Sequence, residues 1–184
     1  MGSTTKRRWL EEGFTLLEEM GTEALTIETL ADRLSVTKGS FYHHFTNYQN
    51  FKESLLVFFV EERTLQIIQL AEQAALPRQK WERVIQATLT PSRLEVAIRA
   101  WSLQDLVVQD YQRRIDQQRI AYLEELAYAQ SGDRLHATQV ARVFYSIYIG
   151  SQHIIPPIQG EELAQLYLSV QHLFEVAPVS ASDA

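Results

Sequence analysis

The sequence lacks cysteine and has no long hydrophobic run. With no Cys among its 184 residues, disulfides, cysteine zinc sites and thiol nucleophiles are excluded. The longest apolar run, from Leu55 to Val60, is far shorter than the roughly 20 residues that a membrane-spanning helix needs. The basic N-terminus is not followed by the apolar stretch and cleavage site of a signal peptide. We therefore expect a cytoplasmic protein with no membrane partner.

Glycine and proline are also scarce. The chain has seven glycines and five prolines, and no proline occurs before Pro77. This scarcity favours long helices over many short strands joined by turns. Apolar residues recur at spacings of three and four along the chain, while clear alternation with a period of two is missing. The pattern predicts an all-α protein of about nine helices.

Charge is unevenly distributed along the chain. Its 17 basic and 23 acidic residues give a net charge of −6, which argues against indiscriminate coating of nucleic acid or anionic membranes. The segment from Arg33 to Lys52, however, holds three basic residues and no acidic one, and Lys6, Arg7 and Arg8 form a second basic cluster. An anionic partner is therefore expected to meet the first third of the chain.

Two short helices separated by a tight turn are predicted between Thr26 and His44. Thr26 is a good cap for the first helix, and Thr37 can cap the second because its hydroxyl can accept a backbone N–H of the first turn. This is the plan of a helix-turn-helix, whose second helix enters the DNA major groove. The polar groups that this second helix offers to DNA are those of Thr37, Lys38, Ser40, Tyr42 and His43.

The residues in and around this motif resemble the N-terminal signature of the tetracycline-repressor (TetR) family of bacterial transcriptional regulators. The resemblance covers roughly residues 8–56. It is carried by one contiguous stretch, Val36 to Phe45, with Gly21, Thr26, Leu30-Ala31 and Asn50-Phe51 correctly spaced around it. A match over neighbouring positions with the right spacing is more specific than isolated residues.

The resemblance implies an N-terminal helix-turn-helix domain over residues 1–46. A long fourth helix joins it to a helical effector-binding and dimerisation domain over residues 47–184, and the implied assembly is a homodimer on an operator of double-stranded DNA. Motif and resemblance together predict these DNA-binding residues: Thr26, Thr37, Lys38, Gly39, Ser40, Tyr42, His43, Tyr48 and Lys52. No cofactor, metal site or catalytic residue is expected.

Three positions depart from the family's pattern. Ser35 stands where the turn between the two helices usually has Gly, and Gly13 stands where the first helix usually has Ala. Tyr48 replaces a Lys that usually contacts phosphate, although its phenol can still donate to one. Since Gly inside a helix is unfavourable, Gly13 indicates close packing against a neighbouring helix.

The C-terminal part of the chain carries weaker signals. Five aromatic residues are predicted to line an effector pocket between helices: Phe58, Trp101, Tyr111, Tyr122 and Tyr145. The last two helices carry more apolar residues than one buried face requires, which predicts a dimer interface. Its predicted members are Val140, Phe144, Ile147, Tyr148, Leu163, Leu166, Tyr167, Val170 and Phe174. Ordinary core packing stays open for both sets.

The sequence thus predicts a DNA-binding transcriptional regulator, a repressor released from a palindromic operator by an unidentified small-molecule effector. An enzyme is not expected, because the chain has no Gly-rich phosphate loop, no His-Glu-x-x-His pattern and no Gly-x-Ser-x-Gly nucleophile motif. The alternative is an effector-free all-α DNA-binding architectural or adaptor protein. A cavity in the C-terminal domain would favour the regulator, and a filled core would favour the alternative.

Overall fold

A computed structural model describes residues 5–176, and its regular secondary structure in this range is helical. The α-helices are α1 (Lys6–Met20), α2 (Ile27–Arg33), α3 (Lys38–Tyr42), α4 (Tyr48–Val60), α5 (Gln66–Glu72), α6 (Pro77–Thr88), α7 (Arg93–Ser102), α8 (Leu106–Ser131), α9 (Arg134–His153) and α10 (Gly160–Val176). A π-helical turn, Glu61–Leu65, joins α4 to α5 in one continuous helix. The described residues therefore form nine separate α-helices, which confirms the all-α prediction.

Two compact units share these helices. The first comprises Met1–Ile67 and Ser92–Asp116, and the second comprises Ile68–Pro91 and Gln117–Ala184. The first unit extends beyond the predicted 46/47 boundary because α4, α7 and the start of α8 contribute to the same hydrophobic core as α1 to α3. The functional division at residues 46 and 47 stays a prediction.

Aromatic side chains form the centre of the first unit. Trp9 and Phe41 are completely buried, and their rings meet edge to face with centroids 5.4 Å apart. Phe41 also lies 5.0 Å from Phe45 and 5.6 Å from Phe51. Buried aromatic groups supply much of the stability of a small core. This cluster therefore fixes the position of the short helix α3 against α1 and α4.

Gly13 and Ser35 have different structural consequences. A Cβ at Gly13 would lie 3.0 Å from side-chain carbons of both Leu55 and Phe51, which confirms the predicted close packing. Ser35, in the turn between α2 and α3, has a φ of 55°. This left-handed conformation is unfavourable for residues other than Gly, so Ser35 holds the turn under mild backbone strain.

The second unit has a smaller aromatic core. Phe144 of α9 meets Trp81 of α6 at 4.9 Å and stacks on Tyr167 of α10 at 5.4 Å. Leu163, only 1% exposed, adds a second contact surface from α10. Among the residues that the structure describes, no helix has both the length and the hydrophobicity to cross a membrane.

Candidate nucleic-acid interface

Helix α3 buries one side and exposes the other. Phe41 is fully buried, whereas Lys38, Gly39, Tyr42 and His43 are exposed. Although α3 is short, the aromatic contacts of Phe41 hold it in place, so its outward side chains are not needed for packing. The structure therefore gathers most of the predicted DNA contacts of this helix on one exposed surface, to which the half-buried Ser40 is adjacent.

Thr37 begins α3, but its hydroxyl does not cap the helix. Its backbone is extended, and its side chain makes no capping hydrogen bond. The first turn is closed instead by the Ser40 N–H, which donates to the Thr37 carbonyl at 2.9 Å. The predicted hydroxyl cap is therefore wrong. The exposed Thr37 hydroxyl is left available for a partner outside the chain.

Thr26 caps α2 as predicted. Its Oγ1 accepts a hydrogen bond from the Thr29 N–H at 3.1 Å, and the two hydroxyl oxygens lie 2.9 Å apart. Thr26 nevertheless remains exposed. The Thr26 hydroxyl therefore caps α2 and remains accessible to DNA.

An open depression of about 570 Å³ lies beside α3. Seven residues line it: Leu25, Thr26, Ile27, Glu28, Lys38, Tyr42 and Tyr48. Four of them, Thr26, Lys38, Tyr42 and Tyr48, are predicted DNA contacts that stand as much as 22 positions apart in the sequence. The fold therefore brings separate parts of the motif to one place.

The depression contains an ion pair that sequence reasoning missed. The Glu28 carboxylate lies 3.0 Å from the Lys38 ammonium, and both side chains are more than half exposed. Tyr48, at the start of α4, is half-buried, and burial, with a smaller effect from Asp105, raises the pKa of its phenol. Tyr48 therefore stays protonated at neutral pH and can act as a hydrogen-bond donor.

The structure corrects the assignment of Lys52. Its Nζ donates to Asp105 Oδ2 at 2.7 Å, and Lys52 is only 8% exposed. Burial acts to raise the pKa of Asp105, but Lys52 and the backbone N–H groups of Val107 and Val108 outweigh it and lower that pKa. The prediction that Lys52 contacts DNA is wrong, because its ammonium group is held inside the first unit.

Other basic residues near the motif are also paired. Arg33 donates to Glu12 and to Glu19, each at 2.7 Å, and Arg7 pairs with Glu11 and Glu62. The segment from Arg33 to Lys52 contains no acidic residue, yet the fold supplies carboxylates from α1 and α2. Charge counted along the sequence therefore overestimates the positive charge that this surface offers to DNA.

The five aromatic residues predicted for the effector pocket belong to different units. Phe58 and Trp101 are buried in the core of the first unit, and Tyr111 packs against that core. In the second unit, Tyr145 is buried and the Tyr122 hydroxyl donates to Glu72 at 2.7 Å. Burial and this carboxylate raise the pKa of Tyr122. Their assignment to an effector pocket stays a prediction.

The second unit contains a cavity of about 430 Å³. Its lining comes from α6, the end of α8, α9 and α10: Arg78, Trp81, Glu82, Ala127, Gln130, Ser131, His136, Val140, Phe144, Leu168, Gln171 and Phe174. None of the five predicted aromatic residues is in this lining. This lining could not be predicted from the sequence, because no short motif connects residues drawn from four helices.

The predicted dimer residues divide into two groups. Val140, Phe144, Leu163 and Tyr167 are 8% exposed or less and fill the core of the second unit, which corrects their assignment to an intermolecular surface. The others are half-buried or exposed: Ile147, Tyr148, Leu166, Val170 and Phe174. Leu173, another apolar residue of α10, is 72% exposed. The proposed dimer surface therefore consists of this second group and Leu173.

Comparison with known proteins bears on the first unit most directly. Residues 10–56 match the family described as "Bacterial regulatory proteins, tetR family", which confirms the resemblance predicted from the sequence. The chain is also 26% identical, over 127 residues, to the HTH-type transcriptional repressor KstR2 of Mycobacterium tuberculosis. That match covers 67% of this chain and 60% of the relative's length.

Solved structures of low sequence identity share the fold. A transcriptional regulator from Rhodococcus sp. Rha1 superposes with a TM-score of 0.75 at 16% identity, over 95% of this chain and 100% of that chain. A putative transcriptional regulator from Saccharomonospora viridis, solved in complex with choline, has a TM-score of 0.74 at 14% identity. The match covers 93% of this chain and 95% of that one.

Proposed function

We propose that this chain, whose residues 10–56 match the tetR family of bacterial regulatory proteins, is a cytoplasmic transcriptional repressor. It binds a palindromic operator as a homodimer and is released by a small-molecule effector. The observation that carries the proposal is the exposed polar surface of α3 beside the depression formed by Thr26, Lys38, Tyr42 and Tyr48. The proposal includes no catalytic activity and no cofactor.

The DNA contacts follow from this surface. The major groove is wide enough for one helix and presents distinct donors and acceptors for each base pair, so Thr37 and Lys38 at the start of α3 are proposed to meet base edges. The hydroxyls of Thr26, Tyr42 and Tyr48 are proposed to bind phosphate, which fixes the helix in register. The exposed His43 lies at the end of α3 and completes the contact surface.

Gly39 allows the backbone of α3 to approach DNA closely. A Cβ at this position would meet only the Thr37 hydroxyl, at 3.6 Å, so the fold itself has room for Ala. We therefore expect Gly39→Ala to keep or raise stability, by up to about 1 kcal/mol, while operator binding weakens. Thermal unfolding and operator affinity measured on the same preparation separate the two effects. Unchanged operator affinity would contradict a close backbone approach.

Dimerisation and effector response are proposed from the second unit. Exposed apolar groups such as Leu166 and Leu173 remain on α10, and burying them against a second copy is favourable. The cavity of about 430 Å³ has the size of small-molecule sites. To weaken operator binding a hundredfold, an effector must favour the state that does not bind DNA by about 2.7 kcal/mol.

The first test is selection of genomic DNA fragments by the purified protein. We expect a palindromic site, and Lys38→Ala should weaken its binding by about 1 to 3 kcal/mol if Lys38 contacts a base. Tyr42→Phe should weaken binding to all sequences about equally, because it removes a phosphate contact. Lys80→Ala, in the second unit, is the matched control. Equal retention of wild-type protein and Lys38→Ala on the selected DNA would remove Lys38 from the interface.

The second test concerns the effector. Thermal-shift screening should identify ligands, with choline as one starting probe because a protein of the same fold was solved with it. Operator affinity is then measured with and without each stabilising ligand. A ligand that stabilises the protein but leaves DNA affinity unchanged would contradict effector release and favour an effector-free architectural protein.

A further inference from the structure

We propose that Glu28 competes with DNA for Lys38 and thereby weakens operator binding and reduces its salt dependence. The inference rests on the proposed function, because it concerns the same DNA-binding surface. The proposal gives a role to an acidic residue that lies within the proposed DNA-binding surface.

The geometry places the two charges in the path of DNA. Glu28 Oε1 lies 3.0 Å from Lys38 Nζ, and both residues line the depression that Thr26 and Tyr42 also line. Glu28 belongs to the first turn of α2, two positions after the Thr26 cap. A phosphate or base edge that approaches Lys38 therefore meets the Glu28 carboxylate at the same place.

Among the residues that the structure describes, no other charged residue lines the depression to compensate either group. Its five further described residues, Leu25, Thr26, Ile27, Tyr42 and Tyr48, are uncharged at neutral pH. In the free protein the pair is thus close to electrically neutral. When Lys38 moves to DNA, the Glu28 carboxylate is left without its partner beside the DNA backbone.

DNA can displace the Glu28–Lys38 ion pair because both side chains are exposed. The side chains of Lys38 and Glu28 are 57% and 69% exposed, and exposed ion pairs of this kind are weak. Displacement therefore reduces DNA affinity only modestly, by about two- to fivefold. The released carboxylate also attracts a cation from solution, which offsets about one of the counterions that a lysine contact releases from DNA.

The direct test compares Glu28→Gln with Glu23→Gln. Glu23 is exposed in the turn Thr22–Ala24 just before α2, so the control makes the same charge change without touching Lys38. We expect Glu28→Gln to raise operator affinity about two- to fivefold and to steepen the dependence of log affinity on log salt by about one. Glu23→Gln should change both quantities much less.

A double-mutant cycle shows whether the effect runs through Lys38. In a Lys38→Met background, the effect of Glu28→Gln on affinity and salt dependence should be clearly smaller than in the wild type, because only direct repulsion between the Glu28 carboxylate and phosphate remains. An undiminished effect in that background would mean that Glu28 repels phosphate directly, which overturns the competition. Circular dichroism and thermal unfolding check that all variants remain folded.

Two further outcomes are distinguishable. If Glu28→Gln weakens operator binding, then Glu28 contacts a base amine and is not a competitor, so the inference is overturned while the proposed function stands. If neither the wild-type protein nor any variant binds DNA with measurable salt dependence, the proposed function fails and the inference fails with it.

Discussion

The two compact units differ in how completely they bury their apolar side chains. In the first unit, the aromatic side chains of Trp9, Phe41, Phe45, Phe51 and Phe59 are each 1% exposed or less. In the second unit, the aromatic core residues Trp81, Phe144 and Tyr167 keep between 3% and 7% of their surface exposed. Its last two helices also leave leucines such as Leu173 on the surface.

The difference in burial corresponds to the different functions proposed for the two units. A short helix that reads DNA must be held rigidly, and the fully buried rings around Phe41 do this for α3. A unit that binds a ligand or a second copy of the chain needs accessible apolar surface. Fewer of its apolar side chains are therefore fully buried. We expect the contrast in burial to be a contrast in energy as well.

The largest expected effect is truncation of a core ring in the first unit. Phe41→Ala should reduce the free energy of unfolding by about 3 to 5 kcal/mol, because it opens a cavity among rigid aromatic neighbours. Phe144→Ala in the second unit should cost at least about 1 kcal/mol less, since its void joins an existing cavity. Chemical denaturation measures both, with Tyr42→Ala as the exposed control. Equal losses for the two phenylalanines would contradict this difference between the two units.

Ion pairs provide a second contrast. Lys52→Met should destabilise the protein by about 2 to 3 kcal/mol, because it leaves the partly buried Asp105 carboxylate without its Lys52 counterion. In the second unit, Lys80 pairs with Glu72, whose side chain is 46% exposed; Lys80→Met should cost less than about 1 kcal/mol. Denaturation of both variants at pH 7 makes the comparison, and similar losses would contradict it.

The Lys52–Asp105 pair also predicts a pH dependence. Because the folded state lowers the pKa of Asp105, its stabilising contribution is complete above the usual Asp pKa and is lost as the pH falls through the folded value. Stability measured from pH 7 down to about pH 3 should therefore decline less steeply in Lys52→Met. An acid profile identical to that of the wild type would show that the pair does not contribute.

A smaller effect is expected at the exposed surface of α10. Leu173→Glu should weaken dimerisation by about 2 kcal/mol, roughly thirtyfold in dissociation constant, without unfolding the monomer. Leu103→Glu is the control, since Leu103 is 82% exposed in the first unit. Sedimentation over a concentration series measures the effect. A Leu173→Glu protein that remains as dimeric as the control would place the interface elsewhere.

The smallest expected effect concerns the turn before α3. Ser35→Gly removes the strain of a positive φ and should raise stability by up to about 1 kcal/mol, partly offset by the greater freedom of Gly in the unfolded chain. Ser146→Gly, on the exposed side of α9, should instead lower stability slightly, because Gly is a poor helix former. Thermal unfolding of the two variants should shift in opposite directions. A shift in the same direction would contradict a strained Ser35.

Local patterns predicted the helices and the exposed side of α3, because caps and apolar spacing act between residues close in sequence. Pairings between distant residues were not predictable. Lys52 looked like a DNA contact until the fold placed Asp105, 53 positions later, at its ammonium group. Apolar spacing on α9 and α10 also cannot tell a face that packs within the chain from one that meets a partner, so Val140 and Phe144 were assigned to the dimer interface although they fill the core of the second unit.

The unused hydroxyl of Thr37 has a consequence for how this surface can evolve. The Thr37 hydroxyl makes no capping hydrogen bond, and the fold has room for a Cβ at Gly39. Substitutions on the outward side of α3 therefore change what the helix recognises with little effect on the stability of the fold. A library randomised at Thr37, Lys38 and His43 should therefore yield mostly folded proteins with altered sequence preference. In such a scaffold, a new operator specificity can arise by single steps without a compensating mutation in the core.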